Sequence, residues 1–260
     1  MHDKEANLRA SGQHTVAVVA FDRVSMFESA VACELFGEER AVDQDRPFYR
    51  LLVCGAGPVT LDNGMRLAVP CRLSAVAEAD TVIVPPCDAA ADPPAVVLDV
   101  VRRAHDRGAR VASLCTGAFV LAAAGLLDGR RATTHWAECA DLATRYPKVK
   151  VDPDVLYLDD GDILTSARSA ASIDLCLHLI RRDRGAEIAA RVARDLVVPL
   201  YRDGGQAQYI EAPLPAAAVT DTFRGHRAAA PVRRVRSPRA GSIVVTGADA
   251  ASVRLRHPRR

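Results

Sequence analysis

The chain has 260 residues, of which 49% are hydrophobic and 25% charged, and its formal net charge is only +2, as in an ordinary globular protein. No apolar run approaches the ~20 residues that cross a bilayer, and the polar residues 1–13 lack the hydrophobic segment of a signal peptide, so we expect a cytoplasmic protein without membrane contact. The seven cysteines include no C-x-x-C pair, which argues against a disulfide framework and a zinc site, and fits a reducing compartment.

Apolar, β-branched runs alternate with helical patterns between residues 14 and 200. Strands that alternate with helices at this spacing predict an α/β fold with a mostly parallel sheet covered on both faces. The predicted elements, in chain order, are strand 14–21, helix 27–40, strand 48–54, hairpin 59–69, strand 80–84, helix 94–107, strand 108–112, helix 117–124, one or two strands within 149–166, and helices 169–183 and 186–198.

One cysteine falls where an apolar strand ends and a helix of small residues begins. The run ASLCTGAF (112–119) places Cys115 on the turn, with the small residues Ser113 and Gly117 two positions to either side. This placement is typical of a nucleophile elbow. Unpaired amides and the helix dipole favour a thiolate there, so the sequence predicts a lowered pKa for Cys115 and faster alkylation than at the other cysteines. The alternative is a buried cysteine that acts as a small hydrophobic side chain.

Two further residues are predicted at the same edge of the sheet. Glu28 follows the first strand at a loop-to-helix junction, and His135 follows another apparent strand twenty positions after Cys115. Because ligands bind beyond the carboxyl ends of the strands in such sheets, the three side chains are candidates for one pocket. A carboxyl group can share a proton with a thiolate, and an imidazole can stabilise the anion or act as general acid. The structural alternatives are a first-turn helix acid for Glu28 and a histidine packed beside Trp136 for His135.

The end of the chain differs in character from the rest. Residues 211–260 carry ten arginines, no lysine and three acidic residues, a net charge of +7. Few large apolar residues occur there and helical periodicity disappears, which predicts a disordered tail over residues 212–260. One interpretation is a nucleic-acid arm, because arginine clusters neutralise phosphates. The interpretation we prefer is a solvated or out-of-frame tail, because no helix or interleaved aromatic residues would place bases.

Four segments of the chain resemble a known family. They are FESAVACELFG (27–37), CTGAFVLAAAGLLDGRRATTHW (115–136), RYPKVKVDPDVLYLDDGDILTSA (145–167) and DGGQAQYIE (203–211). These segments look like the ThiJ/PfpI-type, class I glutamine amidotransferase-like domain of GlxA-like, AraC-family transcription regulators. The resemblance covers residues 14–211, the predicted ligand-sensing domain, and leaves residues 1–13 as an N-terminal tail.

The resemblance implies a flavodoxin-like, doubly wound α/β sandwich that is commonly a homodimer. In the wider superfamily an acid after the first strand, an elbow cysteine and a downstream histidine face one pocket, which implies catalytic or binding roles for Glu28, Cys115 and His135. The GlxA-like branch senses a small molecule with this domain and binds DNA through two following helix-turn-helix motifs.

The chain departs from that family in three places. Residues 212–260 are too few and of the wrong character for two helix-turn-helix motifs, so we expect DNA binding only if such a region is restored. Arg168 stands in a segment where relatives have glycine, and its guanidinium could lower the pKa of the thiol further or fill the ligand space. Thr116 stands where the peptidase branch has a histidine, which argues against proteolysis.

Two classes of function remain. The first, which we prefer, is the ligand-sensing domain of a transcription regulator, with the Thr116 and Gly117 amides, Cys115, Glu28 and His135 around an unknown small molecule. The second is a hydrolase, isonitrile hydratase-like or amidase-like enzyme, in which Cys115 is nucleophile or proton relay, Glu28 the acid/base and the Thr116 amide the oxyanion donor. We expect neither a cofactor nor a metal ion.

Overall fold

The computed structural model describes residues 13–37, 42–43 and 46–208. The predicted tail 212–260 and nearly all of the N-terminal tail lie outside that part of the chain, as does the end of the predicted helix 27–40. No helix among the described residues has the length and apolar character needed to cross a membrane.

Seven strands form the central sheet, and six of them run parallel. The strand at one edge is antiparallel to its neighbour. In spatial order the strands are β12 (Tyr157–Asp159), β13 (Ile163–Ser166), β9 (Arg110–Leu114), β8 (Thr81–Val84), β1 (His14–Ala20), β4 (Tyr49–Gly55) and β7 (Cys71–Arg72).

Three small two-stranded sheets lie outside the central one. Two of them are antiparallel and the third is parallel. They consist of β2 (Val42–Asp43) with β3 (Arg46–Pro47), β5 (Val59–Thr60) with β6 (Arg66–Leu67), and β10 (Arg131–Ala132) with β11 (Lys150–Val151). The pair β5–β6 is the predicted hairpin, and Asp62-Asn63-Gly64 forms its turn.

The helices cover both faces of the central sheet. They are α1 (Met26–Phe36), α2 (Ala95–Asp106), α3 (Gly117–Ala123), α4 (Cys139–Arg145), α5 (Ala170–Arg184) and α6 (Ala186–Asp195). Buried side chains of α1, α5 and α6 form one half of the core, and those of α2, α3 and α4 form the other. The predicted flavodoxin-like, doubly wound α/β sandwich is confirmed.

The central strands are buried because both of their faces are covered. Every residue of β1 after His14 is buried, and so is every residue of β8. Parallel strands covered by helices on both sides carry nearly continuous Val, Ile and Ala runs in place of an alternating pattern. This is why the apolar runs of the sequence predicted these strands within one or two residues.

A partly buried ion pair lies at the amino-terminal edge of the sheet. Arg110, at the start of β9, donates two hydrogen bonds of 2.8 and 2.7 Å to the carboxylate of Asp183 in α5. The hydroxyl of Tyr49 donates a third, of 3.0 Å. Burial opposes ionisation of this carboxyl, but the Arg110 hydrogen bonds and charge outweigh burial and hold the pKa of Asp183 below its usual range. The pair therefore locks β9, β4 and α5 together at the edge opposite Cys115.

The order in which strands are added to the sheet reverses between the neighbouring strands β1 and β8. From β1 it passes through α1 to β4 on one side, and from β8 it passes through α2 to β9 on the other. The carboxyl ends of neighbouring strands therefore diverge into opposite connections at this point and leave a crevice between them. Ligands bind at such a topological switch point in open α/β sheets.

Candidate functional site

Cys115 occupies a strained turn between β9 and α3. Its φ of +49° lies in the left-handed region, which costs a residue other than glycine on the order of 1–3 kcal/mol unless its surroundings fix it. Three contacts do so: the Cys115 N–H donates to the Ser166 carbonyl at 3.0 Å, and the Cys115 carbonyl accepts from the Ala118 amide at 3.2 Å and the Thr134 hydroxyl at 2.9 Å. The predicted elbow is therefore present and is held by its neighbours.

Gly117 makes this elbow possible by close packing. A Cβ at this position would lie 2.4 Å from the Val84 carbonyl oxygen, a backbone atom of β8 that cannot give way. Gly117 is absent from the described residues that line the pocket near Cys115. The structure thus gives this glycine a packing contact beneath the elbow, whereas its predicted role in ligand binding remains a prediction.

Glu28 lies in the first turn of α1, and only 3% of it is exposed. The Ser25 hydroxyl donates to one carboxylate oxygen at 2.5 Å, and the backbone N–H of Ser169 donates to the other at 3.3 Å. Ser169 itself has a φ of +55°, so this donor comes from a second strained turn. An acid that served only the helix dipole would remain at the surface. Glu28 is instead buried and aimed toward the cysteine by donors from two separate loops.

The prediction of a lowered pKa and a thiolate at Cys115 is wrong. Burial is the largest influence and the negative charge of Glu28 the next, and together they raise the pKa of Cys115 to about 12. The backbone N–H groups of Thr116 and His135 and the charge of Arg168 act in the opposite direction but do not compensate. The sulfur therefore carries its proton at neutral pH, with two amides directed at it.

His135 follows β10 and is half-buried beside the elbow. Burial and the charge of Arg168 lower the pKa of its imidazole, against the smaller opposite effects of Glu138 and Glu28. The ring contacts Trp136 at a centroid distance of 5.3 Å. His135 is therefore packed beside Trp136 and also lines the pocket. At neutral pH this imidazole is uncharged.

A buried glutamine that the sequence reasoning missed holds the His135 loop in place. Gln208 accepts a hydrogen bond from the Trp136 N–H at 3.0 Å and donates one to the Thr134 carbonyl, also at 3.0 Å. Its only signal in the sequence is its place in the segment DGGQAQYIE (203–211). A polar residue in a glycine-containing stretch is too common to identify such a role without coordinates.

Thr116 fixes a second loop over the site. Its hydroxyl donates to the Cys87 carbonyl at 2.7 Å and accepts from the Cys87 N–H at 3.2 Å. This pair of bonds sets the position of the loop after β8, which the sequence could not place. Cys87 and Asp88 both face the pocket as a result.

These residues enclose a pocket of about 420 Å³ at the switch point of the sheet. It brings together Glu28, Cys115, Thr116, His135 and Arg168, five of the six predicted site residues. Arg23, Asp62 and Asp88 join them from loops whose position the sequence did not predict. The full lining consists of Arg23, Ser25, Glu28, Asp62, Pro86, Cys87, Asp88, Ala89, Ala90, Cys115, Thr116, His135, Glu138 and Arg168.

Comparison with known proteins places this architecture in a family. The model of the DJ-1/PfpI family matches residues 14–182. The HTH-type transcriptional regulator CdhR of Pseudomonas aeruginosa is 35% identical over 158 residues, which are 59% of this chain and 46% of that protein. The isonitrile hydratase of Pseudomonas putida is 39% identical over 99 residues, which are 38% of this chain and 42% of that protein. The chain thus spans less than half the length of either relative.

A solved structure agrees at the level of the fold. The crystal structure of an AraC family transcriptional regulator from Pseudomonas putida superposes with a TM-score of 0.62 and 23% identity. The match covers 70% of this chain and 99% of that one. With the family model matching well over half of the residues, the conclusion is direct: the chain belongs to the DJ-1/PfpI family.

Proposed function

We propose that the described domain binds a small molecule in the pocket at Cys115 and serves a transcription regulator as its ligand-sensing domain. The observation that carries this proposal is the pocket itself, which lies at the switch point and gathers Glu28, Cys115, His135 and Arg168 from four separate segments. Its volume of about 420 Å³ lies within the range of ~300–1,000 Å³ that is usual for small-molecule sites. The likeness to a relative named as an HTH-type transcriptional regulator supports the regulatory part.

Chemistry at the elbow supports binding over nucleophilic catalysis. A thiol whose pKa is raised to about 12 is a weak nucleophile at neutral pH, since the thiolate is the attacking species. A protonated sulfur and an uncharged imidazole can still form hydrogen bonds to a ligand. The charged side chains of the pocket, above all Arg168, would then select the ligand by its charge.

Ligand binding is tested by thermal shift of the full chain against a panel of amino acids, amines and carboxylic acids. A compound at about 100 times its Kd should stabilise the domain by ~2.7 kcal/mol. We expect the shift to be lost in Arg168→Gln and retained in Arg103→Gln, a matched control whose side chain is 72% exposed on α2. Equal shifts in both variants would place the ligand elsewhere and contradict the proposal.

An enzyme remains the second candidate because one relative is an isonitrile hydratase. The same protein is incubated with isonitriles, amides and glyoxals, and product is measured for the parent and for Cys115→Ser. We expect no turnover in either. Turnover in the parent that disappears in Cys115→Ser would replace the sensor with a cysteine-dependent enzyme.

We also propose that the domain forms a homodimer through the start of α1 and the β5–β6 hairpin. Met26, Phe27 and Met65 are exposed large apolar side chains there, and Asn63 donates to the Met26 sulfur at 2.9 Å, which joins the two elements into one surface. Light scattering should report a dimer for the parent and a monomer for Phe27→Glu. Val197→Glu, at a residue that is 91% exposed, is the matched control and should remain dimeric.

A cytoplasmic location is the remaining part of the proposal. All seven cysteines are free thiols in the structure, as is usual for proteins of a reducing compartment. Cell fractionation tests this directly, and recovery from the membrane or the medium would contradict it.

A further inference from the structure

Two cysteines seventeen positions apart in the sequence lie side by side at the edge of the sheet. Cys54 in β4 and Cys71 in β7 are direct register partners on adjacent parallel strands. Neighbouring strands lie about 4.8 Å apart, which is inside the Cα separation of ~4.4–6.8 Å that disulfides require. Among the strands that the structure describes, no other register pair joins two cysteines.

The two thiols also share one face of the sheet. Cys54 is fully buried, and Cys71 is partly buried and packs against the cluster that contains it. Burial, together with the neighbouring Cys71 and Glu78, raises the pKa of Cys54 to about 12, so the partly exposed Cys71 is the thiol that an external reagent meets first.

We propose that Cys54 and Cys71 are a redox site that closes to a disulfide by exchange with a low-molecular-weight disulfide such as oxidised glutathione. The Cys71 thiol loses its proton to solvent, attacks one glutathione sulfur and releases the other as a thiolate. Cys54 then loses its proton to solvent and attacks the Cys71 sulfur of the mixed disulfide, which releases the second glutathione thiolate. Because this step is intramolecular, a small thiolate fraction at Cys54 is sufficient. The two protein thiols are oxidised by two electrons, and one glutathione disulfide is reduced to two thiols.

A disulfide between Cys54 and Cys71 would restrict the motion of the β5–β6 hairpin, which forms one wall of the Cys115 pocket. The segment 55–70 between the two cysteines carries the β5–β6 hairpin, whose turn residue Asp62 lines the pocket. The Asp62 N–H donates to the Val24 carbonyl at 3.1 Å, and the Thr60 carbonyl accepts from the Arg23 N–H at 2.7 Å. A bond across the base of this segment limits how far the hairpin can move from the loop after β1. The redox site thus acts on the pocket through the hairpin, whatever ligand the pocket holds.

The test treats the full reduced chain with oxidised glutathione and maps its disulfides by mass spectrometry of a non-reduced digest. We expect a peptide pair linked through Cys54 and Cys71, reversed by dithiothreitol. Oxidation should raise Tm by on the order of 5 °C, because the bond restricts a loop of this length in the unfolded chain.

Variants separate this pair from general thiol oxidation. Cys71→Ser should abolish the linked peptide and the rise in Tm, and Cys33→Ser, at another partly buried thiol outside the pair, should preserve both. The parent protein alone already decides the matter if Cys71→Ser is unstable. A glutathione adduct on Cys71 without the linked peptide, or a linked pair that excludes Cys54, would overturn the proposal.

Discussion

The Cys115 thiol should react slowly with an alkylating agent, in contrast to the reactive thiolate that its elbow position predicts. A rise in pKa from the ordinary 9.0 to the value of about 12 lowers the thiolate fraction at pH 7.5 roughly 1,000-fold. Nucleophilicity grows with pKa and offsets part of this loss, so the net rate falls roughly 30- to 60-fold below that of an unperturbed thiol. The rate should rise steadily from pH 6 to 10 without a plateau.

Replacing the nearby carboxylate isolates its share of this effect. Glu28→Gln removes the charge that is the second largest cause of the raised pKa and leaves burial, the largest cause, in place. We therefore expect a lower pKa of Cys115, a larger thiolate fraction and faster alkylation than in the parent; a roughly tenfold larger thiolate fraction would raise the alkylation rate ~3-fold after the nucleophilicity correction. Glu138→Gln is the matched control, since Glu138 lines the same pocket but acts on His135 and is not among the groups that shift Cys115.

Iodoacetamide labelling followed by quantification of the Cys115 peptide supplies the rates, and circular dichroism checks that each variant is folded. A plateau for the parent with a midpoint below pH 8 would show that the amides and Arg168 outweigh burial and Glu28. Equal rates in Glu28→Gln and Glu138→Gln would remove the carboxylate from the explanation. Either result would refute the electrostatic account given for this site.

Three further changes test the packing around the site, each by urea denaturation. Gly117→Ala should destabilise the domain by about 3 kcal/mol or more, because its Cβ would meet a backbone oxygen at 2.4 Å; a loss below 1 kcal/mol would contradict this. Asp183→Asn should cost about 3 kcal/mol, because the partly buried charge of Arg110 loses its carboxylate partner. The pKa of Asp183 is lower in the folded protein than in the unfolded chain, so the ion pair stabilises the fold above pH 3.8. This stabilisation is lost as the pH falls through the pKa of the folded state. A parent protein whose stability did not fall in acid would contradict the role of the pair. Gln208→Ala should lower the free energy of unfolding by ~1–3 kcal/mol and speed hydrogen exchange of the Trp136 amide. Unchanged exchange would show that Gln208 does not hold the His135 loop in place.

The fold could be predicted because its signals are local. Parallel strands buried on both faces must be nearly continuous in apolar residues, and β1 and β8 are. The elbow was predictable for the same reason, since a strand, a turn of small residues and a helix follow one another within eight positions. The antiparallel pairing of β12 with β13 across residues 160–162 is local as well, but the apolar pattern of 149–166 predicted only one or two strands there and did not fix their pairing.

The electrostatics of the site could not be predicted, because they arise between elements. The sequence around Cys115 shows only the amides and the dipole of its own helix, and the amide of Thr116 does act in the expected direction. Burial by the surrounding elements and the charge of Glu28 come from outside that segment, and their effect on the pKa of Cys115 is larger than that of the amides. The same holds for the pocket wall formed by Asp62 and Asp88, whose loops come together only in the folded sheet.

Taken together, these effects divide the pocket into a floor, where an uncharged thiol and an uncharged imidazole lie near the buried carboxylate of Glu28, and an exposed rim with further charged groups. The protonated sulfur of Cys115 and the neutral imidazole of His135 lie at the elbow, while Arg168 and Arg23 approach from exposed loops. A charged ligand that bound near Arg168 would oppose or reinforce its effect on both groups, because Arg168 lowers the pKa of the thiol and of the imidazole alike. An anion there would raise both pKa values and a cation would lower them. Binding and thiol reactivity are therefore coupled, and the alkylation rate of Cys115 should report the charge of whatever occupies the pocket.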